Sequence, residues 1–72
     1  MTRSEWNKRI GRRVKVLRSE RLLTQADIAE WLGIAVVRVG EVERGVRSLH
    51  AQEAWELARR LCRGSISEVL AP

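Results

Sequence analysis

Apolar residues recur at helical spacing along most of this chain, and no segment shows strand-like alternation with a partner to pair with. Trp6, Ile10, Val14 and Leu17 fall three or four residues apart, the period of one helix face. They predict a first helix from about Glu5 to Glu20, with Ser4 as its N-cap and the basic residues mostly on the other side. A second apolar set runs from Gln25 to Leu32, and a third, Ala35, Val39 and Val42, predicts a helix from about Ala35 to Arg44. A fourth helix begins near Ala51, where Ala51, Ala54, Leu57, Ala58 and Leu61 share a face. Gly64 breaks it. Ser65-Ile66-Ser67-Glu68 then reads as a capping box opening a last short helix that has Ile66, Val69 and Leu70 to bury. The expectation is an all-α bundle of about five short helices.

The segment Ile34-Ala35-Val36-Val37-Arg38-Val39 argues locally the other way. It is rich in β-branched residues, which favour strands. A lone strand has nothing to pair with here, so packing of Val39 and Val42 is expected to override propensity.

The second and third helices carry the strongest local signals. Thr24 can cap the second helix with Asp27 reaching back, a Thr-x-x-acid variant of the capping box. Gly33 supplies a left-handed residue that ends it, and Ala29 is small where two helices approach closely. A second short helix follows at once and closes on Glu43-Arg44-Gly45. Two helices joined by a tight glycine turn make a helix-turn-helix, here over residues 24–45, whose second helix fits the major groove of DNA.

Seventy-two residues make one domain, residues 1–72, with a modest core. Cys62 is the single cysteine, so no internal disulfide forms, and with His50 it makes no spacing known for a metal site. No metal and no cofactor are expected. Cys62 reads as a small buried residue and His50 as a turn or capping residue. Stability then rests on helix packing or on dimerisation. The longest apolar run, Ile34 to Val37, is too short to span a membrane. The N-terminus is charged without an apolar signal core, so a cytoplasmic protein is expected.

The net charge is +5. Eight of the fourteen basic residues precede Leu22: Arg3, Lys8, Arg9, Arg12, Arg13, Lys15, Arg18 and Arg21. Only Glu5 and Glu20 oppose them there. Such asymmetry fits a solvated helix face or a polyanionic partner; beside a helix-turn-helix it points to DNA.

These residues together resemble the small lambda-repressor-like, Cro/C1-type (XRE) helix-turn-helix regulators. The resemblance runs from about Ile10 to Leu70. It rests on Ile10-Gly11, Leu17-Arg18, Leu23-Thr24-Gln25, Ile28-Ala29-Glu30, Leu32-Gly33, Val39, Val42-Glu43-Arg44-Gly45, Arg47, Leu57-Ala58 and Leu61. It implies a five-helix bundle that binds operator DNA, often as a dimer on a pseudo-palindrome. Four positions depart from the family pattern. Ala35 stands where a serine or threonine usually caps the third helix. Val36 and Val37 replace polar residues, and Leu22 replaces a glycine.

Helical geometry sorts the third helix independently of the family. Ala35, Val39 and Val42 point inward; Val37, Gly40, Glu41 and Arg44 point outward, with Val36 and Arg38 flanking. Arg38 and Arg44 can read guanine or bind phosphate, the valines can touch thymine methyls, and Glu41 can accept from cytosine N4 while repelling misplaced phosphate. The resemblance implies base reading by Val36, Val37 and Glu41, backbone anchoring by Gln25 and phosphate contact by Arg47. Partial burial of the valines and simple solvation of the arginines are the alternatives.

Glu43 lies at the inward edge of its helix, where a lone carboxylate is costly. Arg18 is its natural partner, and the family pairs the matching positions. Trp31 and Trp55 flank buried stripes. Trp55 reads as a core edge or, with Ile66, Val69 and Leu70, as a dimer interface. No nucleophile–base pair, phosphate-cradling loop or paired carboxylate set is visible, so an enzyme is not expected. Two functions follow. One is a sequence-specific transcriptional regulator binding double-stranded operator DNA as a homodimer, with no membrane partner and no small-molecule effector. The other is an interaction module that uses the apolar Val36-Val37 face to bind protein.

Overall fold

The computed structural model describes residues 1–61. They form four helices: α1 (Arg3–Glu20), α2 (Gln25–Leu32), α3 (Val36–Glu43) and α4 (Ala51–Leu61). The described residues contain no strand. The fifth helix expected after Gly64 lies outside the described residues, and so do Cys62, Ile66, Val69 and Leu70.

α1 starts earlier than its apolar spacing predicts. Thr2, not Ser4, is the N-cap, and its Oγ1 accepts the Glu5 N–H at 3.1 Å. Thr2-Arg3-Ser4-Glu5 is itself a Thr-x-x-Glu sequence, so the cap moves to where a glutamate stands three residues on. Trp6 is a second correction. It is 41% exposed, and the buried stripe of α1 reduces to Ile10, Val14 and Leu17. The core those residues share with Ile28, Val39 and Leu57 stops at Ile10. In α4, Ala54, Leu57, Ala58 and Leu61 are buried, but Ala51 in the first turn is exposed.

Three reversals of the chain use one device. After α1 the Leu22 N–H bonds the Ser19 carbonyl and the Leu23 N–H the Arg18 carbonyl, both at 3.1 Å. The same pair of bonds follows α2 at Gly33 and Ile34, and α3 at Gly45 and Val46. This is the Schellman ending, which requires a left-handed residue. Gly33 (φ 66°) and Gly45 (φ 79°) supply it, and so does Leu22 (φ 56°), a leucine doing a glycine's task.

The β-branched segment is helical from Val36, with Val39 and Val42 buried. Full burial of such a side chain contributes roughly 1.5–3 kcal/mol. That outweighs a propensity deficit below about 0.7 kcal/mol per residue. α3 packs against both α1 and α2, and α2 against α4. The α1–α3 seam needs small residues. A Cβ at Gly11 would run into the Val42 carbonyl and stand 2.8 Å from that of Glu43. One at Gly45 would stand 2.6 Å from Lys8 Cα. Gly45 therefore both turns the chain and lets the loop after α3 lie on the first half of α1.

Candidate nucleic-acid interface

α3 is locked at its C-terminal end by one charged cluster. Glu43, whose side chain is 4% exposed, accepts from Arg18 Nε at 2.7 Å and from Arg18 Nη2 at 3.1 Å. Gln25 Nε2 donates to the same carboxylate at 3.0 Å. Arg18 also donates through Nη1 to the Leu23 carbonyl at 2.8 Å. Its hydrogen bond to the Glu43 carboxylate raises the Arg18 guanidinium above its ordinary value, so it stays charged. The cluster joins the end of α1, the turn before α2, the first residue of α2 and the last residue of α3. Gln25, expected from the resemblance to anchor DNA backbone, here braces Glu43.

The opposite end of α3 is open. Ala35 caps it in extended geometry with no side-chain hydrogen bond. Val36 is 45% and Val37 72% exposed. Arg44 is exposed at the far end. Gly40, expected to point outward, is buried: Arg44 Nη1 and the Gln25 amide lie over it, 3.2 and 3.8 Å from where a Cβ would stand. The outward surface of α3 is thus Val37, Glu41 and Arg44, with Val36 beside them.

Two residues sorted as base- or phosphate-readers are engaged elsewhere on the protein. Arg38 Nη2 pairs with Glu53 Oε1 of α4 at 3.2 Å, and Arg38 Nε is buried with no partner of its own. Glu53 Oε1 also accepts the His50 N–H at 2.9 Å. Arg38 therefore ties α3 to the start of α4, and His50 sits at that helix start. Its flanking position on the helix gave it either direction; buried Glu53 decided which. Glu41 pairs with Arg47 at 3.1 Å across the turn after α3. That pair is exposed enough to open when a phosphate competes for the guanidinium.

The loop after α3 holds residues that sequence reasoning passed over. Val46 is exposed beside Arg47. Ser48 Oγ lies 3.3 Å from Asn7 Oδ1 of α1. With Gly45 seated on Lys8, the loop and the first half of α1 form one continuous surface. No local signal marks Lys8 among the cations of α1; the close approach at Gly45 does. On α4, Trp55 is 57% exposed. Trp31 is half-buried beneath Arg60, whose Cζ is 5.1 Å from the ring centroid.

Chemically, the site offers a short helix with an apolar start and a cationic end, beside a basic loop and a basic helix. Among the described residues no group of three His, Cys, Asp or Glu side chains gathers where it could hold a metal ion. No helix among them is long and apolar enough to cross a membrane.

No protein-family model matches the chain, and no curated protein matches it. Among solved structures it is similar to an HTH_3 family transcriptional regulator from Vibrio cholerae, with 28% sequence identity and a TM-score of 0.81. The likeness covers 97% of this chain and 39% of that one, so the chain spans about two-fifths of that protein's length. The shared feature is the helix-turn-helix architecture of a transcriptional regulator.

Proposed function

We propose that this chain is a sequence-specific DNA-binding transcriptional regulator that lays α3 in the major groove of an operator. The observation that carries the reading is the surface of α3. Its inner face and C-terminal end are fixed by the Arg18–Glu43–Gln25 cluster, while Val36, Val37 and Arg44 stand exposed. A rigid helix presenting apolar groups and a guanidinium fits thymine methyls and guanine or phosphate oxygens. Arg47 and Arg44 contact phosphate, Arg47 by exchanging Glu41 for it. Freed Glu41 then faces the bases. Arg38 is left out of the DNA contact because it holds Glu53.

The regulator acts as a homodimer at a pseudo-palindromic operator, of the lambda-repressor-like, Cro/C1 type. Its dimer contact is Trp55 with Ile66, Val69 and Leu70. The support is the exposed indole of Trp55 and the apolar residue types Ile66, Val69 and Leu70 in the sequence.

The test is selection of bound duplexes from a random pool, followed by affinity measurements over a range of salt. Arg44→Ala and Arg47→Ala should each weaken binding to all DNA and flatten its salt dependence by about one unit of slope. Unchanged affinity and slope in both variants would refute the contact assignment. The exposed Val36-Val37 pair favours one other reading, a protein-binding module. A chain that enriches no DNA sequence and binds DNA without salt dependence would support that reading instead.

A further inference from the structure

We propose that Lys8, Arg12 and Lys15 form a phosphate-binding ridge on α1 that carries the DNA contact outward from α3 onto the flanking backbone. This rests on the DNA-binding reading above and adds a contact region to it. At about 100° per residue the three side chains fall within roughly 60° of arc. The ridge borders the side of α1 that Gly11 and Arg18 turn toward α3. All three residues are exposed, and none has a carboxylate partner among the described residues. Lys8 and Arg12, with Arg9, also line a shallow hollow of about 280 Å³ in which Glu5 is the one opposing charge.

Continuity with the loop after α3 decides what the ridge binds. Gly45 rests on the Lys8 backbone, and Ser48 meets Asn7. Lys8 thus stands beside the loop that carries Arg47, and a duplex held by that loop runs on to the ridge. Lys8 to Lys15 spans about 10 Å of helix. That is roughly the rise of three base pairs along one strand. An acidic protein partner would match the charge, but the adjacency to the loop after α3 favours the duplex.

The experiment compares the wild type with Lys8→Gln/Arg12→Gln/Lys15→Gln on two probes: a 30-base-pair duplex enriched by selection and one of mixed sequence. Gln keeps the helix propensity, and circular dichroism checks that the variant melts like the wild type. Each lost phosphate contact lowers the salt slope by about 0.9, so three lower it by about 2.7 on both probes. The affinity ratio between wild type and variant then shrinks about 40-fold from 50 to 200 mM salt. Hydroxyl-radical protection should disappear at the flanks and persist at the centre. Lys8→Arg/Lys15→Arg should keep the full slope. A wild type that binds steeply while the triple variant matches its slope and footprint overturns the ridge alone. A wild type that binds neither duplex overturns the DNA reading and the ridge with it.

Discussion

Replacing Glu43 by alanine should remove a large part of this domain's stability. The carboxylate is almost wholly buried and accepts three hydrogen bonds, two from Arg18 and one from Gln25. Its loss leaves the Arg18 guanidinium near a protein interior with only the Leu23 carbonyl to hold it. Removing one partner of a buried ion pair costs about 3–5 kcal/mol, because the other charge remains desolvated. Domains carry roughly 0.05–0.15 kcal/mol of stability per residue, which is about 4–11 kcal/mol for a chain of this length. Glu43→Ala is therefore expected to leave a partly unfolded population at 25 °C. Arg18→Met/Glu43→Met should recover most of the loss, since well-packed apolar replacements of a buried pair are often neutral. Urea denaturation followed by circular dichroism at constant pH reads both variants. A loss below about 1 kcal/mol for Glu43→Ala would refute the argument. So would a double variant no better than Glu43→Ala, which would mean that the packing of the carboxylate stem, and not the stranded charge, sets the cost.

The caps and the exposed acids give further tests. Leu22 is 92% exposed and holds φ 56°, so Leu22→Gly should stabilise the fold by about 1 kcal/mol; no gain in thermal midpoint would show that the left-handed leucine carries no strain. Ala35 has N-cap geometry without a cap, and Ala35→Ser should add about 0.5–2 kcal/mol, checked by the same melts and refuted by a destabilised variant. Arg59 first, then Arg60, hold the Glu56 carboxyl below its ordinary value. Its contribution is therefore present above the unfolded value and lost as pH falls through the folded one. A carboxyl NMR titration should place Glu56 below the ordinary glutamate value, and Arg59→Gln should raise it; an unchanged Glu56 midpoint in that variant would exclude the pair.

What the sequence made legible was mostly local, the Arg18–Glu43 pair being the long-range exception. Thr24 with Asp27 caps α2 in both directions, and Gly33 ends it left-handed, because both signals act within a few residues. Helical periodicity located the inward residues Val14, Leu17, Val39, Val42 and Leu57, since one face of a short helix is either in or out. Glu43, at the edge of the inward face, was legible together with its partner Arg18, because a buried carboxylate needs a cation; other boundary positions were not. Arg38 could face solvent or α4, and only the place of Glu53 in the folded chain settles it. Gly40 counted as outward by angle, yet a residue without a side chain is covered by whatever longer neighbour crosses it, here Arg44 and Gln25. Trp6 carried the right spacing, but one turn beyond the reach of the core. The α1 cap fell to Thr2 because two hydroxyl residues competed and the glutamate chose between them.

These boundary residues also explain how α3 is held still. α3 has eight residues and no N-terminal cap, so its own hydrogen bonds cannot keep it folded or oriented. Its orientation is imposed from three sides instead. α1 supplies the Gly11 seam and Arg18, α2 supplies Gln25, and α4 supplies Glu53 through Arg38. These attachments leave Val36, Val37 and Arg44 exposed. The exposed residues Val36, Val37 and Arg44 are then free to vary with little cost to the fold, because surface positions without special contacts change stability by about 0.5 kcal/mol or less. On the proposed function, that separation lets apolar valines stand at positions 36 and 37 without cost to the fold. A change there alters what the helix can recognise and leaves the scaffold that aims it intact.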